Sequence, residues 1–198
     1  MKINKSTRIT GKNVVLVPYK EKHVLRYHEW MKSPELQRLT ASEPLTLEQE
    51  YSMQRSWHED ADKCTFIILD KHQLEETRNE IEAMIGDTNL YLNDPEEPST
   101  AEVEIMIAVT KNRGKGHGWE SVIHMLRYGI EMLNVKKFRA KISLDNVKSI
   151  KLFTKLQFAE VQRCKVFQEI TMEKKVEEDW IHWLMAETKG TSISDDYE

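Results

Sequence analysis

Between Ala101 and Leu133 the hydrophobic period of the chain switches across a single turn, and that switch restricts the possible folds more than any other feature. Ala101–Val109 reads as a strand, whereas Trp119, Val122, Ile123, Leu126, Ile130 and Leu133 recur along one helix face. Between them lies Arg113-Gly114-Lys115-Gly116-His117-Gly118, which holds three of the seven glycines of the chain. Glycine at such a junction permits positive φ and lets backbone come close to a ligand. The amides of the turn and the positive end of the following helix form an anion site, to which Arg113 and Lys115 add cationic reach. A phosphate-bearing cofactor is the first function that the residues themselves suggest.

Two common phosphate loops do not fit. A Walker A turn needs Ser or Thr after Gly-Lys, and Gly114-Lys115 is followed by Gly116. A dinucleotide fingerprint needs G-x-G-x-x-G and a carboxylate about 20 residues on. Here the third glycine comes one residue early, and the basic pair Lys136-Lys137 stands where the acid belongs. His117, although inside the turn, reads as a solvent-facing position beside the phosphate rather than as a base.

The first half of the chain is rich in strands and the second alternates strands with helices, which predicts an α+β fold with helices packed on a sheet. Val14–Val17, Cys64–Leu69 and Met84–Asn93 are expected strands, as are Lys137–Leu144 and a hairpin within Phe158–Lys174. Thr46, with Gln49 three residues on, predicts a capped helix through His58. Ser149–Leu156 is expected as a short helix, with Ser149 as a candidate N-cap. Tyr27, Trp30, Tyr51 and Trp57 lie at helical spacing, which favours core over an acceptor groove. Lys71–Glu82 reads as an exposed polar insertion. The acidic tail 188–198 is expected to be disordered, which leaves one domain over residues 8–187.

Composition narrows the function further. A net charge of −4 and a pI near 6.0 argue against a nucleic-acid partner, which would need a basic stripe. No apolar run approaches the roughly 20 residues of a membrane helix, and Met1–Lys5 has no apolar signal segment. Cys64 and Cys164 stand alone without metal-ligand spacing, so the expectation is no metal, two reduced buried thiols and a cytoplasmic setting.

Two blocks carry a family resemblance. Arg113-x-x-Gly116-x-Gly118 resembles the Q/R-x-x-G-x-G/A signature of the GNAT acetyltransferases, placed as there between a strand and a long helix. About 30 residues further on, Asn146–Phe158 is similar to the family's N-x-x-S/A-x-x-x-Y-x-K-L-G-F block. Leu16-x-Pro18-Tyr19, His28-x-Trp30-Met31 and Pro44–Tyr51 resemble a eukaryotic branch related to the ribosomal-protein alanine acetyltransferases. The likeness spans roughly residues 8–185.

The resemblance implies a sandwich of helices on both faces of a mixed, mostly antiparallel sheet, with acetyl-CoA as cofactor. By the same resemblance the turn Arg113–Gly118 holds the pyrophosphate. Backbone groups of Met106, Ile107 and Ala108 pair with the pantetheine arm, and an amide of that strand polarises the acetyl carbonyl. Asn146 and Ser149 contact the cofactor or cap a helix, and Phe153 packs beside the pantetheine. Glu104, and after it Glu102, are the candidate bases, two apart on one strand face.

The chain departs from the family twice. Phe153 stands where a tyrosine is frequent and has no proton for the leaving thiolate. Gln157 replaces the glycine of the second block. The expected acceptor is a protein amine, an N-terminal α-amine before lysine, with tubulin as the substrate class the resemblance implies. A small-molecule amine acetyltransferase and an inactive CoA-binding module are the alternatives, the second kept open by Phe153.

Overall fold

The computed structural model describes residues 2–198. The chain opens with β1 (Arg8–Thr10) and β2 (Val14–Pro18), followed by α1 (Val24–Met31), α2 (Pro34–Leu39) and α3 (Leu47–Glu59). Next come β3 (Lys63–Asp70), α4 (Lys71–Thr77), α5 (Glu80–Ala83), β4 (Met84–Tyr91) and β5 (Thr100–Ile107). The second half holds α6 (His117–Leu133), β6 (Lys137–Ser143), α7 (Val147–Lys155), β7 (Ala159–Cys164), β8 (Glu169–Lys175), α8 (Glu178–Glu187) and β9 (Ser192–Ser194).

The strands form one mixed sheet in the order β7-β8-β6-β5-β4-β3-β2-β1-β9. Every neighbouring pair is antiparallel except β5 and β6. The core divides into two clusters, as strand alternation requires when both faces are covered. One gathers Phe66, Leu90, Val103 and Phe138 with residues of α6, α7 and α8. The other gathers Ile67, Leu69 and Met106 with Tyr27, Trp30 and Met31 of α1. Each fully buried side chain of this size contributes about 1.5–3 kcal/mol relative to exposure. The fold is the GNAT arrangement that the resemblance implies.

Local signals explain the boundaries. Thr46 and Gln49 make a reciprocal capping box at 3.3 and 2.8 Å, so α3 starts where the sequence predicts. The helix after β6 starts two residues earlier than expected, because Asn146 rather than Ser149 is its N-cap, accepting from the Ser149 amide at 3.2 Å. Lys71–Glu82, expected as a plain insertion, folds into α4 and α5, each capped by its own side chain, Asp70 and Asn79.

Two expectations are corrected. The tail is not disordered: β9 pairs with β1, and the Tyr197 hydroxyl donates to Glu80 at 2.6 Å. Sequence reasoning missed β1 and β9 because three-residue strands are shorter than any hydrophobic period can reveal. Of the two free thiols, Cys64 is buried but Cys164 is half-exposed.

Candidate active site

The parallel ladder between β5 and β6 is only three pairs long, from Thr100–Lys137 to Glu102–Arg139. Beyond it β5 continues to Ile107 and β6 to Ser143 without pairing, so the two strands fork. Ala108 donates its amide to Ile85 of β4 at 2.8 Å. Strand alternation therefore turns the amides of Met106 and Glu104 toward β4, and those of Ile105 and Ile107 toward the fork. Of the three residues expected to offer backbone there, only Ile107 faces it, and its carbonyl already accepts from Arg113 Nε at 2.8 Å. Ile105 is the edge residue that sequence reasoning omitted. Gly86 of β4 lies so close to β5 that a Cβ would meet the Met106 carbonyl oxygen at 1.9 Å, so this register requires glycine.

The glycine turn leads from β5 into α6 through a short 3₁₀ segment, Thr110–Asn112. Gly114 and Gly116 have φ of +75° and +88°, with open space where a Cβ would be. The left-handed backbone, not crowding, demands glycine at both. Gly118 has ordinary φ, and a Cβ there would rest 3.5 Å from the Ile107 side chain. The first amides of a helix lack intrahelical partners, so the start of α6 presents free backbone donors beside the two left-handed glycines.

The side chains of this turn differ from expectation. Arg113 does not reach outward: besides Ile107 it contacts Glu35 of α2 at 3.0 Å, so it braces the turn against β5. Lys115 is exposed and has no ionic partner among the described residues, which leaves it as the cation of the turn. His117 is not solvent-facing. It is buried, with Nδ1 3.1 Å from the Asn112 carbonyl and Nε2 3.7 Å from Asp70.

On the face of α1 and α3 the sheet floors a cleft of about 530 Å³. Its wall includes Glu102, Glu104, Asn146, Ser149 and Phe153, which the sequence nominated, and Glu50, Asp87, Asn89, Tyr91 and Lys141, which it did not. Tyr27 and Trp57 also border it, while Trp30 packs in the core. Phe153 is buried edge-on against Phe158, with ring centroids 5.0 Å apart.

The antiparallel register sets Glu104 opposite Asn89, Met106 opposite Asp87 and Glu102 opposite Tyr91. The nominated pair then separates in character. Glu102 is held by Lys141 at 2.7 Å. Glu104 faces the open cleft, and burial of its surroundings raises its pKa, opposed by the charge of Lys63 and reinforced by that of Glu102. Asp87 lies beneath: burial pushes it up to about 7, while a hydrogen bond from Asn89 at 2.8 Å pulls the other way. Its Oδ1 has no donor within the protein. Alternation along β4 put Asn89 and Tyr91 on one face, and the same parity would have included Asp87. What could not be read from sequence was the register bringing that face to Glu104.

A chain with this sheet, fork and glycine turn is an acyl-transfer protein of the GNAT class. It belongs to the GNAT acetyltransferase family: the model of the Acetyltransferase (GNAT) domain matches residues 13–159. It is therefore an acetyltransferase. Among its relatives, the human protein named alpha/beta-tubulin-N-acetyltransferase 9 is 54% identical over 191 residues, covering 95% of this chain and 92% of that protein. The Drosophila melanogaster protein of the same name is 50% identical over 188 residues, covering 93% and 94%. The solved spermidine N-acetyltransferase of Vibrio cholerae, in complex with CoA and spermine, superposes with a TM-score of 0.70 at 18% identity. It covers 82% of this chain and 95% of its own, and at that identity the likeness speaks for the fold alone.

Proposed function

We propose that this chain moves the acetyl group of acetyl-CoA directly onto a protein amine in the cytoplasm. An N-terminal α-amine is favoured over lysine, with tubulin, named in its relatives, as the substrate class. The observation that carries this reading is the position of Glu104, on the cleft wall just past the point where β5 and β6 part.

The residues present fit the cofactor. Orphan amides at the start of α6, the left-handed Gly114 and Gly116 and the unpaired Lys115 suit a pyrophosphate. The free edge of β5 at Ile105 and Ile107 suits an arm that pairs like a strand. Acetyl-CoA supplies an activated thioester carbonyl. Glu104 takes the proton from the acceptor ammonium, since its raised pKa brings it nearer the working pH than an ordinary carboxylate. The Ile105 and Ile107 amides are the donors aimed into the fork where an oxyanion would need them. Phe153 contributes apolar packing and no proton, so on α7 the polar groups at the cleft are those of Asn146 and Ser149.

A peptide array covering free N-termini and internal lysines, incubated with labelled acetyl-CoA, tests the reading. Label on tubulin N-terminal peptides, incorporated roughly a hundredfold or more slowly by Glu104→Gln, supports it. Acetyl-CoA binding without transfer to any peptide would instead establish a binding module. Transfer confined to small amines would establish the small-molecule enzyme.

A further inference from the structure

Lys63, the first residue of β3, has almost no solvent exposure at 3%, which is rare for a lysine. Its ammonium is enclosed by two aromatic faces, 3.4 Å from the Trp57 ring centroid and 3.8 Å from that of Tyr91. It donates a hydrogen bond to the Tyr91 hydroxyl at 2.5 Å. Tyr91 borders the cleft together with Glu104, its diagonal neighbour across the β4–β5 ladder, in which Glu104 pairs with Asn89 and Tyr91 with Glu102. A buried cation costs several kcal/mol of lost hydration unless it has a partner of opposite charge. No acidic side chain lies within salt-bridge distance of Lys63 among the described residues, so this cage is not a structural ion pair. The cation is instead lodged one phenol away from the carboxylate that the proposed reaction requires.

We propose that Lys63, caged between Trp57 and Tyr91, is the positioning residue that keeps the Glu104 carboxylate ionised and oriented toward the acceptor amine. The inference rests on the reading of Glu104 as the base. The surroundings of Glu104 make such a counter-charge necessary. Glu102 and Asp87 are both acidic neighbours, and Lys141, the other nearby cation, is taken up by Glu102 at 2.7 Å. Burial and the charge of Glu102 favour the protonated form of Glu104, and Lys63 is the largest opposing influence, followed by Tyr91 and Lys141. A protonated Glu104 could not take the proton of an ammonium. Burial draws Lys63 itself down to about 8, with Glu104, Asp87 and Asp60 resisting, so it remains cationic through neutral pH. The Tyr91 hydroxyl, receiving from Lys63, holds the ammonium at the strand position diagonal to Glu104. Trp57, on α3, closes the cage from the helical wall of the cleft.

The test uses the full chain with two readouts. The first is a ¹³C carboxyl titration of Glu104, assigned by its disappearance in Glu104→Gln. The second is the pH profile of kcat/KM for peptide acetylation. Lys63→Met fills the cage without charge and should raise the Glu104 midpoint by about one pH unit. The acidic limb of the rate profile should move with it, a loss that approaches about tenfold at pH values below both midpoints and vanishes well above them. Lys63→Arg, retaining the charge, should leave the midpoint near that of the parent. Tyr91→Phe, which keeps the ring but not the hydroxyl, should raise it too and serves if the Met variant does not fold. An unmoved Glu104 midpoint in both Lys63→Met and Tyr91→Phe overturns the inference. A midpoint that moves while the rate profile stays fixed upholds Lys63 as the group that sets the charge of Glu104, and removes Glu104 as the base.

Discussion

Lys141 Nζ lies 2.7 Å from Glu102 Oε2, an ion pair that spans β5 and β6 where their ladder ends. It ties the fork at its base and separates the two neighbouring glutamates of β5. Glu102 serves the geometry, while Glu104, one step beyond, faces the open cleft. Glu104→Gln should lower kcat by roughly a hundredfold or more, the range of a lost general base. Glu102→Gln should cost less than about tenfold, since a partly exposed pair contributes roughly 0–1 kcal/mol. Steady-state acetylation kinetics of both variants check this, and equal losses would contradict the division of roles.

The glycines of the turn should differ in tolerance. At Gly116, φ of +88° strains any branched side chain, and added bulk would intrude where backbone must approach phosphate. Gly116→Val should abolish detectable acetyl-CoA binding by calorimetry with an unchanged far-UV spectrum. Gly118→Ala meets only an ordinary contact at 3.5 Å and should bind within about threefold of the parent.

Gln157 occupies the left-handed C′ position after α7 at φ +67°. Phe158 donates to the Phe153 carbonyl at 3.0 Å and Gln157 to that of Thr154 at 2.9 Å, the two bonds of a Schellman motif. A side chain in this conformation costs about 1–2 kcal/mol, partly offset by the greater chain entropy of glycine. Gln157→Gly should therefore stabilise the protein by about 0.5–1 kcal/mol, raising Tm by a few degrees. A lowered Tm would refute the strain.

Asp87 gives stability a defined pH dependence. Burial lifts its pKa from the usual 3.8 to about 7, so between those values the folded chain keeps a proton that the unfolded chain has released. Stability from this group therefore falls as pH rises through that window and stays low above it. Asp87→Asn, which can still accept from Asn89, should raise Tm at pH 8 and leave it nearly unchanged at pH 4. Thermal unfolding at the two pH values decides this, and a uniform shift would count against a titrating Asp87.

Much of this molecule is local enough to read from the chain. The glycine turn, the amphipathic α6 and the capped α3 follow from residues within a few positions of one another, where φ preference, period and cap chemistry act directly. Glu102 and Glu104 share a face because side chains alternate along any strand. The two blocks that resemble the family lie in such local segments, and so the fold class could be read before any tertiary contact was known.

What tertiary structure alone decided is which side chains meet across sequence distance. The β4–β5 register sets Asn89 and Asp87 beside Glu104 and Met106, and the β3–β4 register sets Lys63 opposite Tyr91. Register depends on the summed packing of whole strands, to which no single residue testifies. Arg113 and His117 turned inward because partners far along the chain, Glu35 and Asp70, were within reach. The polar tail, unremarkable by composition, was ordered by a sheet edge that only the completed fold supplies, because an exposed strand satisfies its backbone by pairing.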